Sequence, residues 1–344
     1  MKLLVMGGTG YVGRRVVEAA VGRGHAITLF NRGQSDPDAF PGLECLHGDR
    51  TRDLSALHGR EWDAVVDTSG YVPSVVGASA RLLASAVGHY TFVSTLYVYA
   101  DQTGRYIDES APVSTLDDVT DETVTPQTVG PLKAASERAV AEALPGRALI
   151  PRCGTLVGPN DLNGRFTYWT RGVARGGEVL APVAPTTPVQ VIDVRDLATW
   201  IVTASERGTS GTFNVAGPER PITMGTFLDA VKNATGSDAR FTWVTADFLR
   251  EQELSTAERL ALFLWERGAT ANQLTNLNAR AMPTLDVRNA VSAGLRHRPL
   301  AETVRDTLAW DRERPAGTEY RADLAPDHER SLLEAWHRWG AAVV

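Results

Sequence analysis

Short apolar runs alternate with stretches of helical texture along the first 150 residues. The runs fall at 3–5, 26–30, 43–46, 64–67, 90–95 and 148–151. Between them, helices are expected at 14–20, 74–87 and 133–144, where alanine and other helix formers are frequent and glycine and proline are scarce. Continuous apolar strands separated by helices predict a parallel sheet covered on both faces. Beyond 151 the texture loosens at 159–161, 176–177 and 182–188, then resumes over 189–204 and a short strand at 211–216. The expected organisation is an α/β domain over 1–155, with sheet contributions from about 189–216. A smaller region, 156–344, would bind substrate mainly through irregular segments and carry the C-terminal helices.

Two later segments have their own signatures. Residues 255–282 begin helix-like and become polar and unpatterned, which fits a surface loop, with a lid as the alternative. Leu332, Leu333, Trp336 and Trp339 recur at helical spacing and would share one face, packed on the body or on a partner subunit.

The first strand runs straight into Gly7-Gly8-Thr9-Gly10-Tyr11-Val12-Gly13 and then into a helix. Gly7 permits a tight turn, Gly10 lets backbone approach a pyrophosphate, and Gly13 allows close packing of helix on strand. The helix N-terminus offers unpaired N–H groups to the anion, so the first domain reads as a Rossmann-type, doubly wound dinucleotide cradle. About twenty residues on, where NAD-preferring folds place a carboxylate for the adenosine ribose, the second strand ends in Asn31-Arg32-Gly33. No acid stands at 31 or 32, and an arginine can pair with a 2′-phosphate. NADP(H) is therefore the preferred cofactor, with NAD(H) as the alternative. Asp36 and Asp38 sit too far into the loop to substitute.

Composition narrows the function classes. With 344 residues and 43% hydrophobic content the chain can fill an enzyme-sized core. A net charge of −6 and the lack of any Lys/Arg run leave little to attract a nucleic-acid backbone. Cys45 and Cys153 are isolated and the histidines form no ligand-like pair, so neither a disulfide scaffold nor a metal is expected. No apolar run reaches spanning length and the opening segment is too short for a signal-peptide core, which suggests the cytoplasm. Only three of the 35 basic residues are lysines: Lys2, Lys133 and Lys232.

Further ordered landmarks are Gly48-Asp49-Arg50, the run 63–73, Phe92-Val93-Ser94-Thr95-Leu96-Tyr97-Val98-Tyr99, Val157-Gly158-Pro159, the run 192–198 and Phe213-Asn214-Val215-Ala216-Gly217. Together with the glycine loop they resemble the extended or atypical short-chain dehydrogenase/reductase family, which includes nucleotide-sugar epimerases and dehydratases, over at least 1–218. The resemblance implies cofactor contacts from Gly7, Thr9, Gly10, Tyr11, Val12, Gly13, Asn31, Arg32, Asp49, Arg50, Ser69 and Lys133. In that pattern Asp49 meets the adenine, Lys133 holds the nicotinamide ribose, and Thr95 stands where the family keeps a catalytic Ser or Thr. Tyr11 either packs at the glycine turn or contacts phosphate.

One position departs from the family. Its Tyr-x-x-x-Lys is replaced by Val129-Gly130-Pro131-Leu132-Lys133, a register supported by the following glycine and by Glu137 four residues past the lysine. Valine cannot exchange a proton, and acid–base help of this kind is worth roughly 10²–10⁴-fold. Three accounts follow. Lys133 itself, or a phenol from Tyr71 or Tyr97, donates the proton; or the substrate needs no strong acid and Val129 lines an apolar pocket; or the fold binds NADP(H) without turnover. Arg165, Tyr168 and Trp169 combine charge and aromatic surface where extended members build their substrate pocket, and suit a polar, anionic ligand.

The resulting expectation is an NADP(H)-dependent oxidoreductase moving hydride to or from a small-molecule C=O, C=N or activated C=C. An epimerase or dehydratase with retained NAD(P) is the alternative, a non-catalytic NADP(H)-binding regulator a third, and a homodimer is compatible with all three.

Overall fold

The computed structural model describes residues 1–262 and 284–342, apart from Ser35, Pro37, Gln102, Thr103, Val119, Leu162 and Ala316. Most of the 255–282 segment thus lies outside the described residues, and its described start is the helix Thr256–Leu262. The chain divides into two units: Met1–Leu156 with Val194–Glu219 and Leu285–His297, and Val157–Asp193 with Arg220–Thr284 and Arg298–Val344.

The first unit is built on β1 (Lys2–Met6), β2 (Ala26–Asn31), β3 (Glu44–His47), β4 (Trp62–Asp67), β5 (Val87–Phe92), β6 (Ser94–Thr95) and β7 (Ala148–Cys153). All pair in parallel, in the order Gly211–Val215, β7, β5, β4, β1, β2, β3, with β6 also on β7. Parallel strands require crossovers, and helices provide them: α1 (Tyr11–Gly22), α2 (Pro73–Leu83) and α3 (Val129–Ala143). Of the stretch 189–216 only Gly211–Val215 joins the sheet, because 189–193 belongs to the second unit. Residues 285–297, expected outside the nucleotide domain, belong to the first.

Helices on the sheet explain the unbroken apolar runs. Leu3, Leu4, Val5 and Met6 are wholly buried, and each such Leu or Val side chain contributes about 1.5–3 kcal/mol. Val76, Ala80 and Leu83 of α2 and Val140 of α3 cover Leu4, Met6, Val65, Tyr90 and Phe92. α1 buries Val16, Val17 and Ala20 and packs with the helix Val194–Arg207.

Three element boundaries differ from the sequence-based expectation. The helix expected to reach 87 stops at Leu83, because Val87 is drawn into the sheet opposite Trp62. The helix expected from 133 starts a turn earlier, at Val129, and Pro131 fits its first turn, where a missing N–H leaves no bond unmade. The strand expected over 90–95 is broken at Val93 into β5 and β6.

In the second unit, α4 (Arg165–Arg175) packs Phe166, Trp169 and Val173 into a core with Phe227, Leu228, Phe248, Leu332 and Leu333. Trp336 and Trp339 stack at 5.1 Å between centroids and pack on the same core, so this helical face covers its own unit. No helix among the described residues is long and apolar enough to cross a membrane.

Candidate dinucleotide site

The chain winds from β1 out to β3 and returns to β4 on the other side of β1, which makes the carboxyl ends of β1 and β4 the topological switch point of the sheet. A cleft of about 590 Å³ opens there, walled by the glycine loop and by the loops that follow β2, β3 and β4. Every residue expected on the cofactor lines this cleft except Gly13 and Lys133, and Tyr71 lines it as well.

Each glycine has a distinct task. Gly7 has φ +85°, a conformation that favours glycine, and donates its N–H to the Phe30 carbonyl at 3.2 Å. A Cβ on Gly13 would stand 2.2 Å from the Gly7 oxygen, so Gly13 seats α1 against the turn and does not reach the cleft. A Cβ on Gly10 would meet only that same oxygen, at 3.4 Å, leaving backbone open to a ligand. No side chain caps α1 and its first turn holds no acid, so its leading N–H groups favour an anion.

At the β2 end, Asn31 Oδ1 accepts from the Gly33 N–H at 2.7 Å and holds the turn in shape. Arg32 is exposed on the cleft and pairs with no carboxylate among the described residues. Asp36 is taken up by Arg14. Asp49 Oδ1 accepts from the Thr51 hydroxyl at 2.7 Å and its N–H at 3.0 Å. Those bonds, with a smaller contribution from Arg32, hold its carboxyl below the usual range.

Arg50 lines the cleft and also makes a clamp. Its Nη1 and Nη2 donate to the two carboxylate oxygens of Asp67 at 2.7 and 2.8 Å, and further bonds reach Ser69 Oγ at 3.2 Å and Ser79 Oγ at 3.1 Å. It borders the cleft, but its guanidinium is committed to joining the loop after β3 to the loop after β4. Asp67 is wholly buried and also accepts from Tyr90 Oη at 3.0 Å. Burial pushes the Asp67 carboxyl up, and the Arg50 charge and hydrogen bonds outweigh that and hold it below the ordinary value. Asp67 and Tyr90 were not singled out from the sequence. The available signal was an acid ending an otherwise apolar strand, since a buried charge requires a partner.

Lys133 lies one turn past Val129 on α3, and side chains four apart share a helix face. Its Nζ donates to the Val93 carbonyl at 2.6 Å, which the break between β5 and β6 leaves available. It sits 4.3 Å from the Phe92 ring centroid and 5.1 Å from that of Tyr71, and the residue is 6% exposed. Burial pulls its pKa down to about 8, against the raising influence of Asp67, Cys153 and Glu137. The amine is therefore turned inward beneath Tyr71.

Of the two phenols considered, the structure brings Tyr71 to Lys133, whereas Tyr97 packs against the apolar cluster of Leu96, Val98, Tyr99 and Ile107. Thr95 Oγ1 accepts from the Tyr97 N–H at 3.3 Å at the start of a short helical turn. Behind it a buried network fixes α3 to the sheet. Ser94 donates to Glu137, Glu137 pairs with Arg152 at 2.8 Å, and Arg152 lies 4.9 Å over the ring of Tyr99. Tyr99 Oη in turn donates to Asn214 Oδ1 at 2.6 Å.

The expected substrate residues of the second unit fall on α4. Tyr168 and Trp169 are buried in its apolar core, in edge contact at 5.2 Å, because α4 is amphipathic and aromatic side chains fill its inner face. Their rings pack in that core, and Tyr168 Oη and Trp169 Nε1 are buried there without a hydrogen-bond partner among the described residues. Arg165 begins α4 and is half-buried, and Arg171 pairs with Asp311 at 2.7 Å. Asp193 accepts from Thr303 Oγ1 at 2.9 Å within the same unit.

Parallel sheet, glycine turn and switch-point cleft define a Rossmann-type nucleotide-binding protein. The chain belongs to the NAD dependent epimerase/dehydratase family, whose sequence profile matches residues 3–216. It is similar to 3 beta-hydroxysteroid dehydrogenase/Delta 5-->4-isomerase of Mycobacterium tuberculosis, with 37% identity over 79 residues. That match covers 23% of this chain and 21% of the relative. Among solved structures it shares its fold with the Bordetella bronchiseptica enzyme WbmG in complex with NAD, at TM-score 0.65 and 16% identity over 94% of this chain and 98% of that one. UDP-glucose 4-epimerase of Thermus thermophilus, in complex with NAD, superposes at TM-score 0.62 and 18% identity over 92% and 100% of the two chains.

Proposed function

We propose that this chain is an NADP(H)-dependent oxidoreductase of the atypical extended short-chain type, acting on a small-molecule C=O, C=N or activated C=C. The observation that carries the reading is Lys133, an enclosed amine with its pKa drawn down to about 8, one helical turn from a valine where the family has its phenol. An ammonium of that acidity is a competent proton donor near neutral pH, since general acids work best when their pKa lies near the working pH.

The residues fit the dinucleotide. The glycine loop and the uncapped start of α1 would hold its pyrophosphate, Asp49 its adenine, and Arg32 a 2′-phosphate. When bound, the nicotinamide ring supplies or accepts the hydride. Thr95 hydrogen-bonds the reacting oxygen or nitrogen, Lys133 delivers or takes the proton by turning its amine from the Val93 carbonyl toward the cleft, and Val129 gives the pocket an apolar wall. Calorimetry with NADPH and NADH, followed by NADPH oxidation against aldehydes, ketones, imines and enones, tests the reading. Failure to bind NADPH, or turnover unaffected by Lys133→Ala, overturns it.

A second reading, an epimerase that keeps its dinucleotide through turnover, draws support from the family and from the NAD named in the complexes of WbmG and the Thermus epimerase. Oxidised NAD released by acid from extensively dialysed protein would favour it over the reductase.

A further inference from the structure

The amine of Lys133 lies between two aromatic rings of different standing. Phe92 ends β5 and is wholly buried, so its ring, 4.3 Å from Nζ, is a fixed floor. Tyr71 is 50% exposed, lines the dinucleotide cleft, and has its ring centroid 5.1 Å from Nζ. Its backbone is flanked on two sides. Ser136 Oγ, one turn beyond Lys133 on α3, donates to the Leu132 carbonyl of its own helix at 2.9 Å and lies 3.5 Å from the Tyr71 carbonyl. Two residues before Tyr71, the Ser69 N–H donates to Asp67 Oδ1 at 3.1 Å, within the Arg50 clamp.

We infer that Tyr71 is a positioning residue for Lys133: its ring closes the cleft side of the amine against Phe92 and keeps Nζ on the Val93 carbonyl. The inference deepens the proposed function, resting on Lys133 as the proton donor whose acidity the ring sets. A cation over two ring faces is attracted to both, and each ring also excludes water. Burial is the largest influence on this amine. The charged and titratable groups around it are Asp67 from the end of β4, Cys153 from β7 and Glu137 from α3, which favour its charged form, and Arg50, which opposes it. None of these is displaced by trimming Tyr71. Loss of the ring removes one cation–π attraction, which favours the charged form, but readmits water; burial is the larger influence, so the amine moves from about 8 back toward the ordinary lysine value of 10.5. The role belongs to the ring face and leaves the hydroxyl unused, so Tyr71→Phe preserves it and Tyr71→Ala removes it.

The scarcity of lysine makes this directly measurable. Protein labelled with ¹³C at lysine Cε carries three resonances, with Lys2 and Lys232 as internal controls and Lys133 assigned by its loss in Lys133→Arg. In a pH titration without substrate, wild type and Tyr71→Phe should share a low Lys133 midpoint, while in Tyr71→Ala it rises by about one unit or more, roughly a tenfold change in the neutral amine. An unchanged midpoint in Tyr71→Ala overturns the inference, and so does an equal shift in Tyr71→Phe. Circular dichroism and thermal melting establish that the variants are folded, and unaltered Lys2 and Lys232 resonances show that the change is confined to Lys133. The titration is independent of turnover, so a Lys133 shift in protein that never oxidises NADPH would sustain the positioning role and remove the proposed reaction.

Discussion

Arg50 grips Asp67 through both carboxylate oxygens, at 2.7 and 2.8 Å, and the acid is wholly buried. The arginine comes from the loop that carries Asp49 and the acid from the end of β4, just before Ser69 and Tyr71. One bidentate pair therefore sets the spacing of two cleft walls, and the fork geometry of guanidinium is what makes it rigid.

Breaking that pair should be costly. Arg50→Ala leaves an uncompensated buried carboxylate and is expected to lower unfolding free energy by about 3–5 kcal/mol in urea denaturation. Arg50→Lys, which keeps charge but loses the fork, should fall between the two. A loss within about 0.5 kcal/mol, typical of featureless surface sites, would mean the clamp is not structural.

The same acid predicts a pH dependence. Its native pKa is depressed below the ordinary 3.8, so its stabilising contribution is complete above that value and disappears as pH falls through the lower native value. Asp67→Asn should be less stable than wild type at neutral pH, and the gap should shrink on acidification below 3.8. Stability curves that stay parallel across that range would contradict the assignment.

Gly10 and Gly13 should separate binding from folding. At Gly13 an added methyl meets the Gly7 oxygen at 2.2 Å, an overpacking expected to cost about 1–3 kcal/mol or more. At Gly10 the backbone has φ −77° and a methyl meets the same oxygen at 3.4 Å, so Gly10→Ala should melt like wild type. Its dinucleotide affinity should nevertheless fall about tenfold or more, an expected loss of about 1.4 kcal/mol, because the methyl occupies the side open to pyrophosphate. Equal melting losses in the two variants would refute the distinction.

Arg32 is expected to read the 2′-phosphate. Hydrogen bonds to charged groups are worth about 1.5–3 kcal/mol, so Arg32→Ala should weaken NADPH by roughly 10–150-fold and leave NADH nearly unchanged. Calorimetry of both cofactors decides this, and an unaltered NADPH-to-NADH ratio would free Arg32 of the role.

Much of the fold and the cofactor half of the site were legible because they depend on neighbours along the chain. Strand runs, helix texture and glycine spacing are set by consecutive residues. Ten of the twelve expected cofactor residues line one cleft because strand ends in a doubly wound sheet converge. Features set by partners distant in sequence were not legible. Arg50 lines the cleft, but its pairing with Asp67, seventeen residues on, could not be read along the chain. Tyr71 and Tyr97 were indistinguishable until packing gave one to Lys133 and the other to an apolar cluster. Tyr168 and Trp169 resembled a binding surface until the second unit's core buried them.

By itself, then, the sequence determined the parallel α/β architecture, the glycine turn of a dinucleotide-binding fold, and a valine one helical turn before Lys133, all of which follow from local geometry and residue chemistry. Tertiary structure alone decided which charges are paired and which amine is enclosed. Burial and hydrogen-bond partnership arise only when segments remote along the chain are packed together and water is excluded between them.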